Sequence, residues 1–222
     1  VTYNGSSNWI PDHQDGSVPT LKIDDPAYFI DGVAINISTT PKHNFTECKS
    51  VAVKQHFYGR AGTTNVCEIW SLTTITSAGV IEFSVKVKWL VAALITTGYS
   101  TMLPCNIATV DAIKTSLGRI VEKSGSDVHV YFDELADKGI SFVGYSANGH
   151  YAAYTIQDAY TTSRLGMPGK GNPQFHIWNQ PSQYMKLYNR IYTSYTPSVG
   201  EEYTSRVKIL VGKNPFVVNS GV

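Results

Sequence analysis

The sequence has little charge and no long apolar run. Only 16% of its 222 residues are charged, the formal net charge is +1, and Lys and Arg form no cluster. Nucleic-acid binding depends on clustered basic residues, so we expect no nucleic-acid partner. The longest apolar run, Trp89 to Ile95, is far short of the ~20 residues that a membrane-spanning helix needs. We therefore expect no stable membrane insertion.

Cysteine is also scarce. Cys48, Cys67 and Cys105 are widely spaced and form no C-x-x-C motif, which excludes a multi-disulfide framework. At most one disulfide can form, and three buried free thiols are the favoured interpretation. The chain begins without an apolar leader, which we interpret as a processed product or an excised domain.

Glycosylation sequons occur at Asn4, Asn36 and Asn44, as in many extracellular proteins. Chance explains about two of them, because Ser and Thr together account for 41 of the 222 residues. The sequons are therefore compatible with secretion and do not demonstrate it.

The residues that are abundant favour a β-rich domain. Hydrophobic residues make up 42% of the chain, and it contains 14 Tyr, 20 Ser and 21 Thr. This is enough apolar material for one sizeable core, so we expect a single domain over residues 1–222. Residues 1–26 lack periodicity and are rich in turn formers, which indicates an extended arm.

Several segments carry clear strand signals. Asp31-Gly32 lies between apolar, β-branched runs and predicts a hairpin with a tight turn. A second hairpin is predicted around Gly59 and Gly62. From Ile81 to Trp89, apolar and polar residues alternate, which is typical of a strand with one wet face.

Two segments show helical spacing. Thr109 to Lys123 has an N-cap residue, apolar residues at helical intervals and a terminal Gly125, and predicts a helix. The residues Tyr184, Leu187, Tyr188, Ile191, Tyr192 and Tyr195 also recur at helical intervals, with a strand as the alternative because tyrosine prefers strands. The predicted fold class is mainly β: an antiparallel sandwich or barrel with one or two helices.

Ser146, in the segment "GYSANG", is a candidate nucleophile. A hydrolase elbow needs Gly-x-Ser-x-Gly between a strand and a helix, but Asn148 stands at the second glycine position. Asn148-Gly149 between apolar runs instead predicts a hairpin. We keep a serine hydrolase, with Ser146 and His176, only as an alternative.

Other sites of chemistry are weakly indicated. Asp24-Asp25 and the "DHQDG" segment lack the spacing of a calcium loop, and we interpret them as solvated loop acids. Two other pairs, His43 with Glu47 and His129 with Asp133, have i, i+4 spacing. This spacing brings two metal ligands to the same face only if the segment is a helix. We therefore predict no metal, no cofactor and no catalytic residues.

The densest polar and aromatic stretch runs from Phe175 to Tyr195. Flat rings and neutral amides suit recognition of glycans or proteins. The predicted ligand-binding residues are Trp178, Asn179, Gln180, Tyr184 and Tyr188.

These observations favour a non-enzymatic recognition or coat domain, of a viral capsid, spike or lectin-like type. We expect it to act outside the cell or on a virion surface, as a homo-oligomer that binds a host glycan or protein. The alternatives are the serine hydrolase and a secreted pore-forming toxin that would expose Trp89 to Ile95.

Overall fold

The structure, a computed structural model, describes residues 2–3, 20–39, 47–108, 110–115, 119–132, 141–145, 150–159 and 175–213. Within these ranges every regular element is a strand and none is a helix, so the mainly β fold class is confirmed. The described residues accordingly include no helix with the length and hydropathy of a membrane span.

The strands in chain order are β1 Thr2–Tyr3, β2 Thr20–Lys22, β3 Ala27–Ile30, β4 Val33–Ile35, β5 Ser50–Ala61, β6 Thr64–Thr76, β7 Val80–Trp89, β8 Ile95–Asn106, β9 Ala112–Thr115, β10 Ile120–Glu122, β11 Val128–Phe132, β12 Ser141–Tyr145, β13 His150–Ala159, β14 Phe175–Gln180, β15 Tyr184–Tyr195 and β16 Glu202–Lys213.

The strands form two antiparallel sheets. The small sheet has five strands in the order β1-β8-β15-β14-β11. The large sheet has eleven strands, ordered β10-β9-β12-β13-β16-β7-β6-β5-β3-β4, with β2 pairing beside β3 on β5. The predicted arm therefore contributes two short strands, because Thr2–Tyr3 pairs with β8 and Thr20–Lys22 pairs with β5. That residues 1–222 form a single domain stays a prediction.

Both sheets contribute side chains to two apolar clusters, so they pack as a sandwich. The first cluster joins Ile177, Met185 and Leu187 of the small sheet to Ile113 and Val207 of the large sheet. The second consists of the buried residues Val66, Cys67, Ile69, Val85, Val87, Trp89, Ile95 and Tyr203. Alternation along β7 explains the second cluster, because Val85, Val87 and Trp89 all point inward, as predicted.

The two predicted hairpins are confirmed. Asp31 and Gly32 connect β3 to β4 with φ angles of 49° and 79°, the left-handed values that a tight turn requires. The carboxylate of Asp31 accepts hydrogen bonds from the backbone N–H groups of Lys49 and Ser50, each 2.7 Å long. The turn is thus tied to the start of β5. Gly62, with a φ angle of 57°, connects β5 to β6.

The helix predicted over Thr109 to Lys123 is wrong. The described part of this segment forms β9 and β10, which pair antiparallel with Ile113 opposite Val121. Thr109 itself lies outside the described residues. The segment is rich in β-branched residues, whose stiff side chains favour strands, and Ile113 is fully buried in the core. Burial in the sandwich thus outweighs the helical spacing.

The aromatic stripe from Tyr184 to Tyr195 is a strand, β15, so the strand alternative is the correct one. Met185 and Leu187 are buried, whereas Tyr184 before them and Lys186 between them are half-buried. This alternation has the period of a strand.

The three cysteines are free thiols, and two of them are buried. Desolvation raises the pKa of the Cys67 thiol to about 12 and that of the Cys105 thiol to about 11. Cys48 is only partly buried. Because the thiolate is the reactive form, Cys67 and Cys105 are expected to be inert at neutral pH.

We therefore expect an aromatic disulfide reagent to modify one thiol rapidly in the native protein and three in denaturant. The variant Cys48→Ser is the control, and it should lose the rapid phase. Rapid modification of two or more thiols in the native protein would contradict the burial of Cys67 and Cys105.

Candidate functional site

The outer face of the large sheet carries a concentration of polar and charged side chains. On β5, β6, β7 and β16 the odd-numbered residues Phe57, Ile69, Val87 and Tyr203 face the core. Because side chains alternate between faces, the even-numbered residues face outward on β7, on β16, on β5 before the bulge at Gly59–Arg60 and on β6 after Cys67. The backbone register places His56 opposite Trp70 and Trp70 opposite Lys86.

His56 lies between two carboxylates. Its Nδ1 is 2.6 Å from an Oδ atom of Asp24, and its Nε2 is 2.7 Å from an Oε atom of Glu68. Both contacts are hydrogen bonds, and both are made fully when each ring nitrogen carries a proton. The arrangement therefore favours the imidazolium form of His56.

The two carboxylates differ in exposure. The side chain of Asp24 is 67% exposed, whereas those of Glu68 and His56 are 20% and 18% exposed. Asp24 lies in the connection between β2 and β3, and the backbone carbonyl of His56 accepts hydrogen bonds from the N–H groups of Ile23 and Asp24. These two bonds hold the connection against β5. Glu68 is thus the inner partner of the imidazole and Asp24 the solvent-facing one.

Trp70 fixes the plane of the imidazole. The rings of His56 and Trp70 stack with centroids 5.0 Å apart and planes 15° apart. The ammonium group of Lys86 lies 5.1 Å from the Trp70 ring centroid and 2.9 Å from a carboxylate oxygen of Glu202. His56, Trp70 and Lys86 lie side by side on β5, β6 and β7, so His56 contacts Trp70 from one side and Lys86 restrains it from the other.

The hydrogen bonds around His56 shift its pKa. Burial alone lowers the pKa of the imidazole, but the hydrogen bonds and charges of Asp24 and Glu68 outweigh it and leave the pKa above its ordinary value of 6.5. The raised pKa keeps a larger fraction of the imidazole protonated at a given pH, so more of it has a proton to donate.

The raised pKa predicts a pH-dependent contribution to stability. The contribution of His56 is fully present below the unfolded-state pKa of 6.5, and it is lost as the pH rises through the higher folded-state pKa. We expect the free energy of unfolding of the wild type to exceed that of His56→Gln by more at pH 6 than at pH 9. Chemical denaturation at both pH values measures this difference.

An NMR titration of the His56 ring provides the independent check. Its midpoint should lie above 6.5 in the wild type and fall in the double variant Asp24→Asn, Glu68→Gln. A wild-type midpoint at or below 6.5 would contradict the hydrogen-bonded arrangement.

A groove of about 340 Å³ lies on the same outer face. Its wall includes the side chains of Leu72, Thr74, Glu82, Ser84, Arg206 and Lys208. The ammonium group of Lys208 is 2.9 Å from a carboxylate oxygen of Glu82, so these two charges are paired. A volume of this size accommodates a small polar ligand.

The predicted ligand-binding residues lie elsewhere, on the small sheet. Trp178, Tyr184 and Tyr188 share its outer face, where the Trp178 ring is 5.6 Å from Tyr184 and 6.5 Å from Tyr188. His129 stacks on Trp178 at 5.3 Å, with planes 10° apart. The indole N–H of Trp178 donates a 2.6 Å hydrogen bond to Asp127. The structure thus brings three of the five predicted residues into one aromatic cluster.

Asn179 and Gln180 differ from these three. Asn179 is 2% exposed and points inward, where its amide nitrogen donates to the carbonyls of Ser124 and Ser126 and its oxygen accepts from the Ser124 N–H. Gln180 lies two residues after Trp178 on β14, on the same face of the sheet, and it is half-buried. Ligand binding by these five residues stays a prediction.

Ser146 lies outside the described residues, but its flanking strands are described. β12 and β13 pair antiparallel, with Tyr145 opposite Tyr151. The elbow of a serine hydrolase requires a helix after the nucleophile, and β13 is a strand. The turn predicted at Asn148-Gly149 lies outside the described residues, but β12 and β13 on either side of it pair antiparallel.

The described residues contain no group of three or more His, Cys, Asp or Glu side chains arranged to hold a metal ion. A pore-forming toxin would insert the apolar run from Trp89 to Ile95 into lipid. In this structure both ends of the run lie in the core, since Trp89 is 1% exposed and Ile95 is fully buried.

No protein-family model and no curated protein matches the sequence. Solved structures give weak matches. A structure from Klebsiella pneumoniae, described as an aldose 1-epimerase, has a TM-score of 0.48 and 5% identity, covering 78% of this chain and 53% of that one. A GalM/aldose epimerase homologue from C. elegans has a TM-score of 0.40 and 7% identity, covering 84% of this chain and 78% of that one. The chain spans about half the length of the bacterial protein.

Both matched structures are described as sugar epimerases, and this finding contradicts the function predicted from the sequence. The prediction of a viral coat, spike or lectin-like recognition domain is wrong by this comparison. So is the prediction that the chain is not an enzyme. The expected partners, homo-oligomeric state and extracellular location stay predictions.

Proposed function

We propose that the chain is an acid–base enzyme that opens and recloses the ring of an aldose sugar at its anomeric carbon. The observation that carries this proposal is the position of His56, hydrogen-bonded at Nδ1 to the exposed carboxylate of Asp24 and at Nε2 to the inner carboxylate of Glu68. A protonated imidazole beside an ionised carboxylate provides an acid and a base in one place.

A cyclic hemiacetal is a substrate that suits this spacing. Opening a cyclic hemiacetal requires one proton on the ring oxygen and removal of another from the anomeric hydroxyl. Both oxygens are bonded to the same carbon, so their acid and base must be neighbours. Nδ1 of His56 and the Asp24 oxygen are 2.6 Å apart. A sugar that enters between them contacts both groups.

The proton transfers balance without a cofactor. The Nδ1–H of His56 protonates the ring oxygen while Asp24 accepts the proton of the anomeric hydroxyl. The bond between the anomeric carbon and the ring oxygen breaks, and the carbonyl of the open-chain aldehyde forms. Rotation of this group and reclosure on its other face give the second anomer, with both protons returned.

Glu68 has a positioning role in this proposal. It is only 20% exposed and binds the ring nitrogen that faces away from Asp24. Its charge stabilises the imidazolium and holds the ring in place, as the third member of a nucleophile–base–acid arrangement does. Trp70, stacked on the same ring, restricts its rotation.

Two-dimensional exchange NMR on a panel of aldoses tests the proposal. We expect the exchange between α and β anomers of at least one hexose to accelerate in proportion to protein concentration. Heat-denatured protein at the same concentration is the control for buffer catalysis. A panel of neutral and acidic aldoses in which every exchange rate equals that of the control would refute the proposed activity.

A further inference from the structure

Arg206 is a charged residue of the outer face that takes no part in the acid–base centre. It is exposed, it contributes to the groove beside Ser84, and the described residues provide it with no ion pair. Its neighbour Lys208 is neutralised by Glu82, and Lys86 is neutralised by Glu202. Among the described residues that line the groove, Arg206 is therefore a cation without a paired carboxylate.

We infer that Arg206 anchors an oxyanion on the substrate: a carboxylate of a uronic acid or a sulfate ester on a sugar. The planar guanidinium group donates paired hydrogen bonds that match such an oxyanion. The hydroxyl groups of Ser84 and Thr74 line the same groove and are suited to neighbouring sugar hydroxyls. This inference rests on the proposed function, because it names the class of sugar that the His56 centre receives.

The sheet register sets the length of the substrate. Arg206 pairs with Ser84, Ser84 with Leu72, and Leu72 with Lys54, which precedes His56 by two residues on β5. Three strand spacings and two residues along a strand separate the Cα atoms of Arg206 and His56 by roughly 16 Å.

The contacts of His56 with Asp24, Glu68 and Trp70 hold its ring in place, so only the Arg206 side chain shortens this distance. One pyranose ring is shorter than the distance that remains. A disaccharide is comparable to it. We therefore assign the reducing end of the substrate to His56 and the anionic sugar, at least one unit away, to Arg206.

Calorimetric titration of the full chain tests this assignment. The probes are digalacturonic acid, a sulfated reducing disaccharide, neutral galactobiose and the monosaccharide galacturonic acid. We expect one of the two acidic disaccharides to bind about tenfold more tightly than galactobiose, because a charge-assisted contact is added. Which of the two binds identifies the oxyanion. Galacturonic acid should not show this gain, because it is too short to reach both sites.

Three variants make the test specific. Arg206→Gln should remove the preference for the acidic disaccharide, whereas Arg119→Gln removes one positive charge outside the groove and should preserve it. His56→Gln should retain the preference, because the anion site does not depend on proton transfer. Equal affinity of the wild type for acidic and neutral disaccharides, or an unchanged preference in Arg206→Gln, would overturn the inference.

The two proposals fail separately. Binding that depends on Arg206 without any accelerated anomer exchange would refute the acid–base activity and retain the anion site. Accelerated exchange that is the same for acidic and neutral sugars, and unaffected by Arg206→Gln, would refute the anion site and retain the activity.

Discussion

Replacement of His56 by glutamine is expected to reduce enzyme-dependent anomer exchange by ~10²–10⁴-fold, the usual contribution of a positioned acid or base. Glutamine has a similar size and can still accept and donate hydrogen bonds, but it cannot carry the transferable proton. The loss should appear in the rate constant at saturating sugar, because the side chain acts on the reacting oxygen. Exchange NMR with the sugar that responds best to the wild type measures it.

His129→Gln is the matched control. His129 is also a strand histidine stacked on a tryptophan with a neighbouring aspartate, but it lies on the small sheet. The proposal requires its replacement to leave the exchange rate unchanged. Equal losses in the two variants, or full activity in His56→Gln, would exclude His56 as the acid.

Variants of Asp24 and Glu68 are expected to change the exchange rate in different ways. Asp24→Asn removes the base and should lower the rate at every pH. Glu68→Gln leaves acid and base present but removes the inner charge that raises the pKa of His56. It should therefore move the pH profile of the rate downward, since less of His56 remains protonated at a given pH. A merely structural role for Glu68 would lower the rate without moving the profile.

Strand patterns predicted the fold class well because each depends on neighbouring residues. The Asp31-Gly32 turn and the alternation from Ile81 to Trp89 are local signals, and both occur as expected. The segment from Val110 to Val121 has apolar residues at helical spacing as well as β-branched residues. Only the opposing small sheet, which buries Ile113, decides between helix and strand, and a local pattern does not contain that information.

The candidate site was missed because it depends on register. A regular hairpin closed by Ala61 and Thr64 would place His56 opposite Ile69, which is in the core. A bulge between Gly59 and Arg60 shifts the pairing by one residue, so that His56 lies opposite Trp70 and Tyr58 opposite Glu68. A one-residue slip moves side chains to the other face. Asp24 joins them only through backbone hydrogen bonds to His56. The sequence pattern does not indicate either feature, and from the sequence alone Asp24 is predicted to be a solvated loop acid.

Truncation of Trp89 to alanine is expected to have the largest effect on stability, lowering the free energy of unfolding by ~3–5 kcal/mol. The side chain is 1% exposed and packs among the apolar residues of the second cluster. Its backbone also joins two segments, since its N–H donates to the Glu201 carbonyl and its carbonyl accepts from the Gly200 N–H. These backbone bonds persist in the variant, so the loss reports the cavity. Urea denaturation followed by circular dichroism measures the change.

Trp178→Ala provides the comparison, because it removes the same side chain from the outer face of the small sheet. Trp178 is half-buried and loses stacking with His129 and one hydrogen bond to Asp127, but no core cavity forms. Its cost should be clearly smaller than that of Trp89→Ala. If Trp89→Ala does not fold, Trp89→Phe retains most of the buried ring and should still be less stable than the wild type. Trp89 packs with Ile69 and Val87, on the inner side of the sheet whose outer side carries His56, Trp70 and Lys86. Unchanged stability in Trp89→Ala would contradict this core, and with it the assignment of inner and outer faces.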